Sequence, residues 1–379
     1  MLVMANSRLN IPDATRLKLW VLSGGRCEFP GCNELVWRDN LTLQEDNFAH
    51  VAHIVAASPD GPRGDDEKSP ELQTDFDNLM LVCLTHSKLI DGRNAEKYSV
   101  EQLKEHKAKH EDRIRRQTAV GPENASTVVR FQANIRDRRV EVAIAQAYEA
   151  LQPRYPADDK GVFLDFTGKA GTGDEAFWQS FAGEISEAVR HAFLRGNDQQ
   201  RYEHLSIFAL GPIPVLIHFG NQIGNIVPAD LFQKHRDTDN WKWKEEPAQD
   251  AFEYRLTRTE GADTKNITII LSLSGKITPT EYEKIVENAP VYEIEIDAPT
   301  PEFLTYRSRL NKFRVLYRQV LSEIRAKYGG DCLVHLFPAI PAPIALLCGK
   351  EILPKSDPHV RVYDNDKAKG GFVPTLTIS

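Results

Sequence analysis

The chain has 379 residues, more than one ordinary core holds, and its length suits two or three domains. Its composition, 41% hydrophobic and 27% charged, is that of a soluble globular protein, and its most apolar stretch, around residues 205–219, contains two prolines and His218, which excludes a membrane span. A formal net charge of -7 argues against a generic nucleic-acid coat protein, because binding to phosphates wants a basic surface.

The N-terminal MLVMANSRLN lacks the apolar core of a signal peptide, so a cytoplasmic location is expected. Pro12 and Asp13 then open a helix in which Leu17, Trp20 and Val21 are expected to face the core, and Gly24 and Gly25 stop it. CEFPGC is a tight turn, FAHVAHIVA reads as a β-branched strand, and SPDGPRGDDEKSP is a long polar loop in which Arg63 either approaches a phosphate or simply turns. DFDNLMLVCLTHSKLIDG resumes with an apolar strand ending at Cys83 and then a short helix. Ser99 and Gln102 form a capping box for a helix running to about Arg116. Between Lys104 and Arg116 six basic residues stand against three acidic ones, which is either a basic face or a solvated helix laced with i,i+4 pairs.

Residues 119–127 lack apolar periodicity and form the expected linker between a domain at 1–118 and another at 128–379. Beyond it strand-like and helical runs alternate, from GVFLDFTG through NITIILSLSG to CLVHLFPAIPAPIALLCG, which argues for α/β units on a largely parallel sheet. No short-period repeat is evident, although two consecutive α/β halves split near residue 260 fit the length.

Five cysteines in a cytosolic chain are poor disulfide candidates, and Cys332 and Cys348 read as buried free thiols. Cys27-x4-Cys32 and Cys83-x2-His86 instead form two ligand pairs suited to a closed, structural Cys3His zinc site, the plain alternative being ordinary buried thiols. The order of cysteine pair, strand histidine, Asn78 and Cys-x2-His entering a helix resembles the HNH nucleases with their ββα-metal fold, over roughly residues 8–110. That resemblance implies that His53 is the general base and that Asn78 braces the loop between the two strands. Hydrolysis of a phosphodiester needs a base active near neutral pH and a hard divalent cation such as Mg2+ or Mn2+. Relatives often carry a metal ligand where Ala52 stands here and a second histidine where Ser87 stands, so His50, Asp75 and Asp91 are the candidate ligands of the catalytic ion. Their plain readings are a strand-surface histidine, a turn aspartate and a helix-end aspartate.

From about residue 128 onward, LDFTGK, FALGPIPVLIHFGNQIG, QKHRDTDNWKWKEE, SLSGKI and HLFPAIPAPIALLCGKEILPK resemble the SAVED domain, a cyclic-oligonucleotide sensor fused to effectors in bacterial antiphage signalling. The resemblance implies two Rossmann-like α/β subdomains and a cyclic di- or oligonucleotide bound at strand tips. It further implies ligand-driven assembly into a dimer or tetramer and cutting of double-stranded DNA by the HNH domain. Lys169, Arg236, Trp243, Ser272, Ser274 and Lys276 are the candidate nucleotide contacts, because small donors and a cation at strand ends suit phosphate and a tryptophan, Trp241 or Trp243, can stack on a purine. Each has a plain reading: solvated turn lysines, a tryptophan capping a core, an arginine paired with Asp237 or Asp239. The competing function classes are a non-enzymatic sensor whose zinc domain docks DNA or a partner, and an RNA-cutting nuclease.

Overall fold

The computed structural model describes residues 9–92, 95–136, 138–169, 171, 173–194, 202–225 and 227–379. It contains two compact units, Met1–Gly121 and Pro122–Ser379. Among the described residues no helix is long and apolar enough to cross a membrane.

In the first unit the elements run α1 (Asp13–Ser23), β1 (Ala49–His53), α2 (Lys68–Glu71), β2 (Leu79–Cys83), α3 (Leu84–Asp91) and α4 (Val100–Thr118). Helix α1 stops at Gly24, whose φ of 64° lies in the left-handed region that glycine enters without penalty. The face it buries differs from the one expected. Leu19 and Ser23 are buried, whereas Leu17 and Val21 are exposed and Trp20 is half-buried, edge-on to Trp37. Five of the six residues from 17 to 22 are apolar, so periodicity fits more than one face, and packing makes the choice. Strands β1 and β2 pair antiparallel, Ala49 opposite Cys83 and His53 opposite Leu79. Strand β2 is buried along its whole length, and its Met80, Leu81 and Val82 pack with Cys27, Val36, Ile54, Ile90 and Leu103. Helix α4 begins with the Ser99/Gln102 capping box. Its charges pair along the helix, Glu105 with Lys109, Lys107 with Glu111, and Asp112 with both Arg115 and Arg116, so the laced reading describes it and the basic face does not.

The second unit continues with β3 (Ala125–Gln132), α5 (Ile144–Ala150), β4 (Tyr155–Pro156), β5 (Val162–Asp165), α6 (Glu175–Val189), β6 (Leu205–Leu210), α7 (Ile213–Ile223) and β7 (Ala229–Phe232). Then come β8 (Arg255–Thr259), β9 (Asn266–Ser272), α8 (Pro279–Tyr282), β10 (Val291–Glu295), α9 (Arg307–Tyr328), β11 (Leu333–Ala339), α10 (Ala342–Glu351), β12 (His359–Asp366) and β13 (Gly371–Ile378). Strand β3 begins three residues inside the stretch expected to be linker. Strands β3 to β7 form one parallel sheet, with β4 and β5 on one side of β3 and β6 then β7 on the other. The second sheet runs β13-β12-β11-β9-β10-β8, parallel in its centre with antiparallel edges at β8 and β13. The order β5-β3-β6-β7 thus recurs as β10-β9-β11-β12, so the unit is built of two like α/β halves.

The halves meet through α7 and α10. Each helix opens with prolines, Pro212 and Pro214 in one and Pro341 and Pro343 in the other, and each carries a glycine six residues after the second proline. A Cβ on Gly220 would lie 2.0 Å from the Leu346 carbonyl oxygen, and one on Gly349 would lie 1.8 Å from that of Ile217. The two backbones are therefore in direct contact, which only glycine permits. Prolines in the first turn cost little, because the N–H groups they lack have no partner inside the helix. This Pro-x-Pro-x5-Gly repeat is a sequence mark of the two α/β halves that the length led us to expect.

Candidate functional site

In the first unit, four side chains converge from three places in the chain. The Cys27 N–H donates to Glu34 O at 2.9 Å and the Cys32 N–H to Phe29 O at 3.1 Å, closing the CEFPGC turn over Gly31, whose φ is 78°. Cys83 ends β2, and His86 follows within the first turn of α3. His86 Nδ1 lies 3.1 Å from Cys83 Sγ and 3.6 Å from Cys27 Sγ, and the donor atoms of Cys27, Cys32, Cys83 and His86 all lie within 4.8 Å of one another. A tetrahedral ion with sulfur ligands at about 2.3 Å needs donors roughly 3.3–3.8 Å apart, so a small contraction suits this set to one closed metal site. Phe29 stacks on the His86 ring at 4.2 Å between centroids and holds its plane. Burial pushes the Cys27 thiol up to about 12 and raises that of Cys83, so metal binding here is coupled to release of thiol protons.

A cleft of about 280 Å3 opens beside the end of β1, with His53, Ser58 and Asp91 among its lining residues. His53 is only 7% exposed yet borders this cleft. Its Nε2 lies 2.9 Å from the carbonyl oxygen of Gln73. A carbonyl only accepts, so Nε2 carries the proton and the lone pair of the neutral ring is on Nδ1. Asn78 is buried and clasps the segment after β1: its Nδ2 donates to Val55 O at 2.9 Å and Leu72 O at 3.1 Å, and its Oδ1 accepts from the Val55 N–H at 2.8 Å. It does not line the cleft, and its hydrogen bonds brace the segment that follows His53.

The three candidate ligands of a catalytic ion separate. Asp91 lines the cleft with His53. His50 lies three residues from His53 on the same strand, so it faces the opposite side of the sheet, where it is exposed. Asp75 caps the turn before β2, accepting from the Asp77 N–H at 2.7 Å, and does not line the cleft. Arg63 neither merely turns nor faces solvent. Its φ is 58°, and its side chain is 8% exposed. It donates to Ile54 O at 2.7 Å, Ile90 O at 2.7 Å and the Asp91 carboxylate at 2.8 Å, and so ties the end of β1 to the end of α3. The sequence signal for it was a cation framed by Gly61 and Gly64 in a tight turn.

In the second unit, most of the expected nucleotide contacts are engaged with other protein groups. Lys169 pairs with Glu184 and donates to Ser180 Oγ at 2.9 Å. Lys276 lies 3.2 Å from Glu293 and 2.5 Å from Glu295. Ser272 is buried and donates to Glu293 at 3.0 Å, and the Ser274 N–H donates to Ala339 O at 2.6 Å. Arg236 is exposed, 3.8 Å from Glu302 rather than paired with Asp237 or Asp239. Trp241 is fully buried, edge-on to Phe208, and so is closed to stacking on a ligand. Trp243 is half-buried and lines a sizeable cleft, of about 620 Å3, beside β7.

No curated protein matches the chain. Among solved structures, the chain is similar to the Acinetobacter baumannii Cap4 SAVED/CARF-domain containing receptor with the cyclic trinucleotide 3'3'3'-cAAA, at 12% identity over 84% of this chain and 68% of that one, with a TM-score of 0.44. The same receptor with 2'3'3'-cAAA gives 11%, 83%, 67% and 0.45, and the Moraxella osloensis Cap4 SAVED/CARF-domain containing receptor gives 11%, 74%, 61% and 0.37. The model of the SMODS-associated and fused to various effectors sensor domain matches residues 185–378, about half of the chain and most of its second α/β unit, and by that match the protein belongs to the SAVED family.

Proposed function

We propose that the protein is a cyclic-oligonucleotide-activated DNA endonuclease, in which the second unit senses the messenger and the first cuts double-stranded DNA. Membership of a sensor family fused to effectors supports the sensing half and its place in antiphage defence. The observation that carries the catalytic half is the Gln73 carbonyl on His53 Nε2, which presets the imidazole as a base beside a cleft shared with a carboxylate. His53 takes a proton from water, Asn78 holds the segment that follows it, and Asp91 would contribute a carboxylate to a divalent cation, Mg2+ or Mn2+. When bound, that cation neutralises charge on the phosphate and the leaving oxygen. Cys27, Cys32, Cys83 and His86 hold a structural zinc ion, which a unit this small with long polar loops needs for stability.

Activation works by population shift. A cyclic di- or oligonucleotide binds an assembled, homo-oligomeric state better than the resting one, and assembly brings the nuclease sites into use. The expected seat of the messenger is at the carboxyl ends of the parallel strands.

The test incubates purified protein with plasmid, RNA, Mg2+ and a panel of cyclic di- and trinucleotides. Cleavage of DNA is expected only with one of the ligands, and His53→Ala is expected to lower it by about 10²- to 10⁴-fold while ligand binding is kept. Equal cutting with and without every ligand refutes the switch. Full cutting by His53→Ala refutes the base, and no cutting under any condition makes the first unit a docking module.

A further inference from the structure

A second cleft lies at the amino ends of β6 and β7, the end of the sheet opposite to the strand tips where the messenger is expected. It occupies about 610 Å3, between β7, the first turns of α9 and the last turn of α10. That size is within the range of roughly 300–1,000 Å3 typical of small-molecule sites. Leu231, Leu310 and Leu347 give it apolar wall, and Arg154, Arg307, Arg314 and Lys350 line it against only two carboxylates, Asp230 and Glu351.

The sequence puts these charges together simply. Arg307, Asn311 and Arg314 are spaced i, i+4 and i+7 along α9 and share one face of it. Lys350 and Glu351 follow Gly349, whose backbone contact fixes α10 against α7. Both carboxylates are already engaged. Asp230 pairs with Arg154 at 3.2 Å and with Arg307, and lies 3.7 Å from His204. Glu351, 4% exposed, pairs with Arg314 at 2.6 Å and with Arg318 at 3.3 Å. Lys350 is 6% exposed, and its ammonium donates to the Gly224 carbonyl. Burial brings the Lys350 ammonium down to about 8, which shows how incompletely its neighbours compensate it. The cleft therefore holds four cations to two carboxylates, one of the cations nearly removed from water, and a buried cation without a full counter-charge is costly to keep.

We propose that this cleft binds a small phosphomonoester of mononucleotide size, its dianion set against Arg314 and Lys350 and its nucleoside over Leu310 and Leu347. An excess of two positive charges matches one dianion, and arginine and lysine are the side chains that hold phosphate oxygens best. A cyclic oligonucleotide carries a single charge on each phosphodiester and lacks a dianion of this kind. The cleft shares Arg154, Asp230 and Arg307 with the one that Trp243 lines, so the cyclic dinucleotide is included in the test below, and the proposal stands whether or not the first unit cuts DNA.

Calorimetric titration of the full chain with adenosine 5'-monophosphate, inorganic phosphate, adenosine and a cyclic dinucleotide tests the proposal. The monophosphate and phosphate are expected to bind, and adenosine to bind at least about tenfold more weakly than the monophosphate. Arg314→Gln is expected to weaken the monophosphate about tenfold, whereas Arg318→Gln, outside the cleft but on the same carboxylate, leaves it unchanged. Asn311→Asp, an exposed change that breaks no ion pair, is expected to weaken both phosphates by repulsion and guards against misfolding of the arginine variant. Absence of binding by the monophosphate, equal binding of adenosine, equal effects of the two arginine variants, or displacement of the monophosphate by the cyclic dinucleotide overturns the proposal.

Discussion

Replacing Gly349 with alanine places a methyl group 1.8 Å from the Ile217 carbonyl oxygen, and Gly220→Ala places one 2.0 Å from that of Leu346. An ordinary contact between such atoms is about 3.2 Å or more, so α7 and α10 must part by more than about 1 Å, and neither obstacle is a side chain that can rotate away. Overpacking typically costs about 1–3 kcal/mol, and backbone against backbone belongs at the upper end, about 3 kcal/mol for either variant. For a domain of this size that lowers the melting temperature by about 6–12 °C. Gly183, exposed in the middle of α6 with nothing near its missing Cβ, is the control: Gly183→Ala is expected to stabilise by about 0.5–1 kcal/mol. The double variant at 220 and 349 should cost less than the sum of its parts, because helices parted by one methyl leave room for the other. Thermal unfolding of the full chain followed by circular dichroism compares all four variants with the wild type. A Gly349→Ala variant that melts with the wild type, or a Gly183→Ala variant that loses as much, would refute the reasoning.

Asn78→Ala removes three hydrogen bonds, two of them fully buried, and should destabilise the first unit by about 3 kcal/mol in urea unfolding; an unchanged midpoint would show that the clasp is dispensable. Arg63→Lys cannot serve two carbonyls and a carboxylate together, so plasmid cleavage under activating conditions should fall at least about tenfold, and full activity would remove Arg63 from the positioning of the cleft. Elemental analysis should find one zinc ion per chain, and Cys27→Ser should lose it and melt earlier; metal-free wild type of unchanged stability would contradict a structural ion. Buried His335, which lies 2.9 Å from both Tyr363 Oη and Asn266 Oδ1, has its pKa brought down from 6.5 to about 4 by burial, with Arg361 adding to the effect. The folded value is below the unfolded one, so the unfolded chain binds more protons: stability is full above about pH 6.5 and falls by up to about 3 kcal/mol as the pH drops to about 4. His335→Gln should flatten that slope in denaturation measured at pH 7.5 and pH 5, and equal slopes would exclude His335 as its source.

The convergence of Cys27, Cys32, Cys83 and His86 and a boundary near Gly121 were legible because both rest on local spacing: two short pairs, and a stretch poor in apolar residues. The choice among His50, Asp75 and Asp91 was not legible, since it depends on which side of a two-residue period each group falls and on where a loop of more than twenty residues returns. The face of α1 was misread because apolar residues surround the helix near Leu17–Leu22, and only the partner decides which of them are covered. The strand tips of the second unit looked like phosphate sites because Lys169 and Lys276 follow small residues. Glu184, Glu293 and Glu295, which partner those lysines, lie 15 to 19 positions further on, beyond the reach of any local pattern. The duplication within that unit was in the sequence all along, in two prolines and a glycine at fixed spacing, but it needed the backbone contact to give the spacing a meaning.

Helix α3 is eight residues long, about 12 Å from end to end. His86 in its first turn belongs to the cysteine cluster, and Asp91 at its far end is gripped by Arg63 beside the His53 cleft. The rod is therefore clamped at both extremities, and displacement at either is felt at the other, there being no hinge between them to absorb it. If the cysteine cluster holds an ion and His53 is the base, as proposed, stripping that ion should lower cleavage as well as stability, so chelator sensitivity by itself cannot tell a metal that performs chemistry from one that only keeps the frame square.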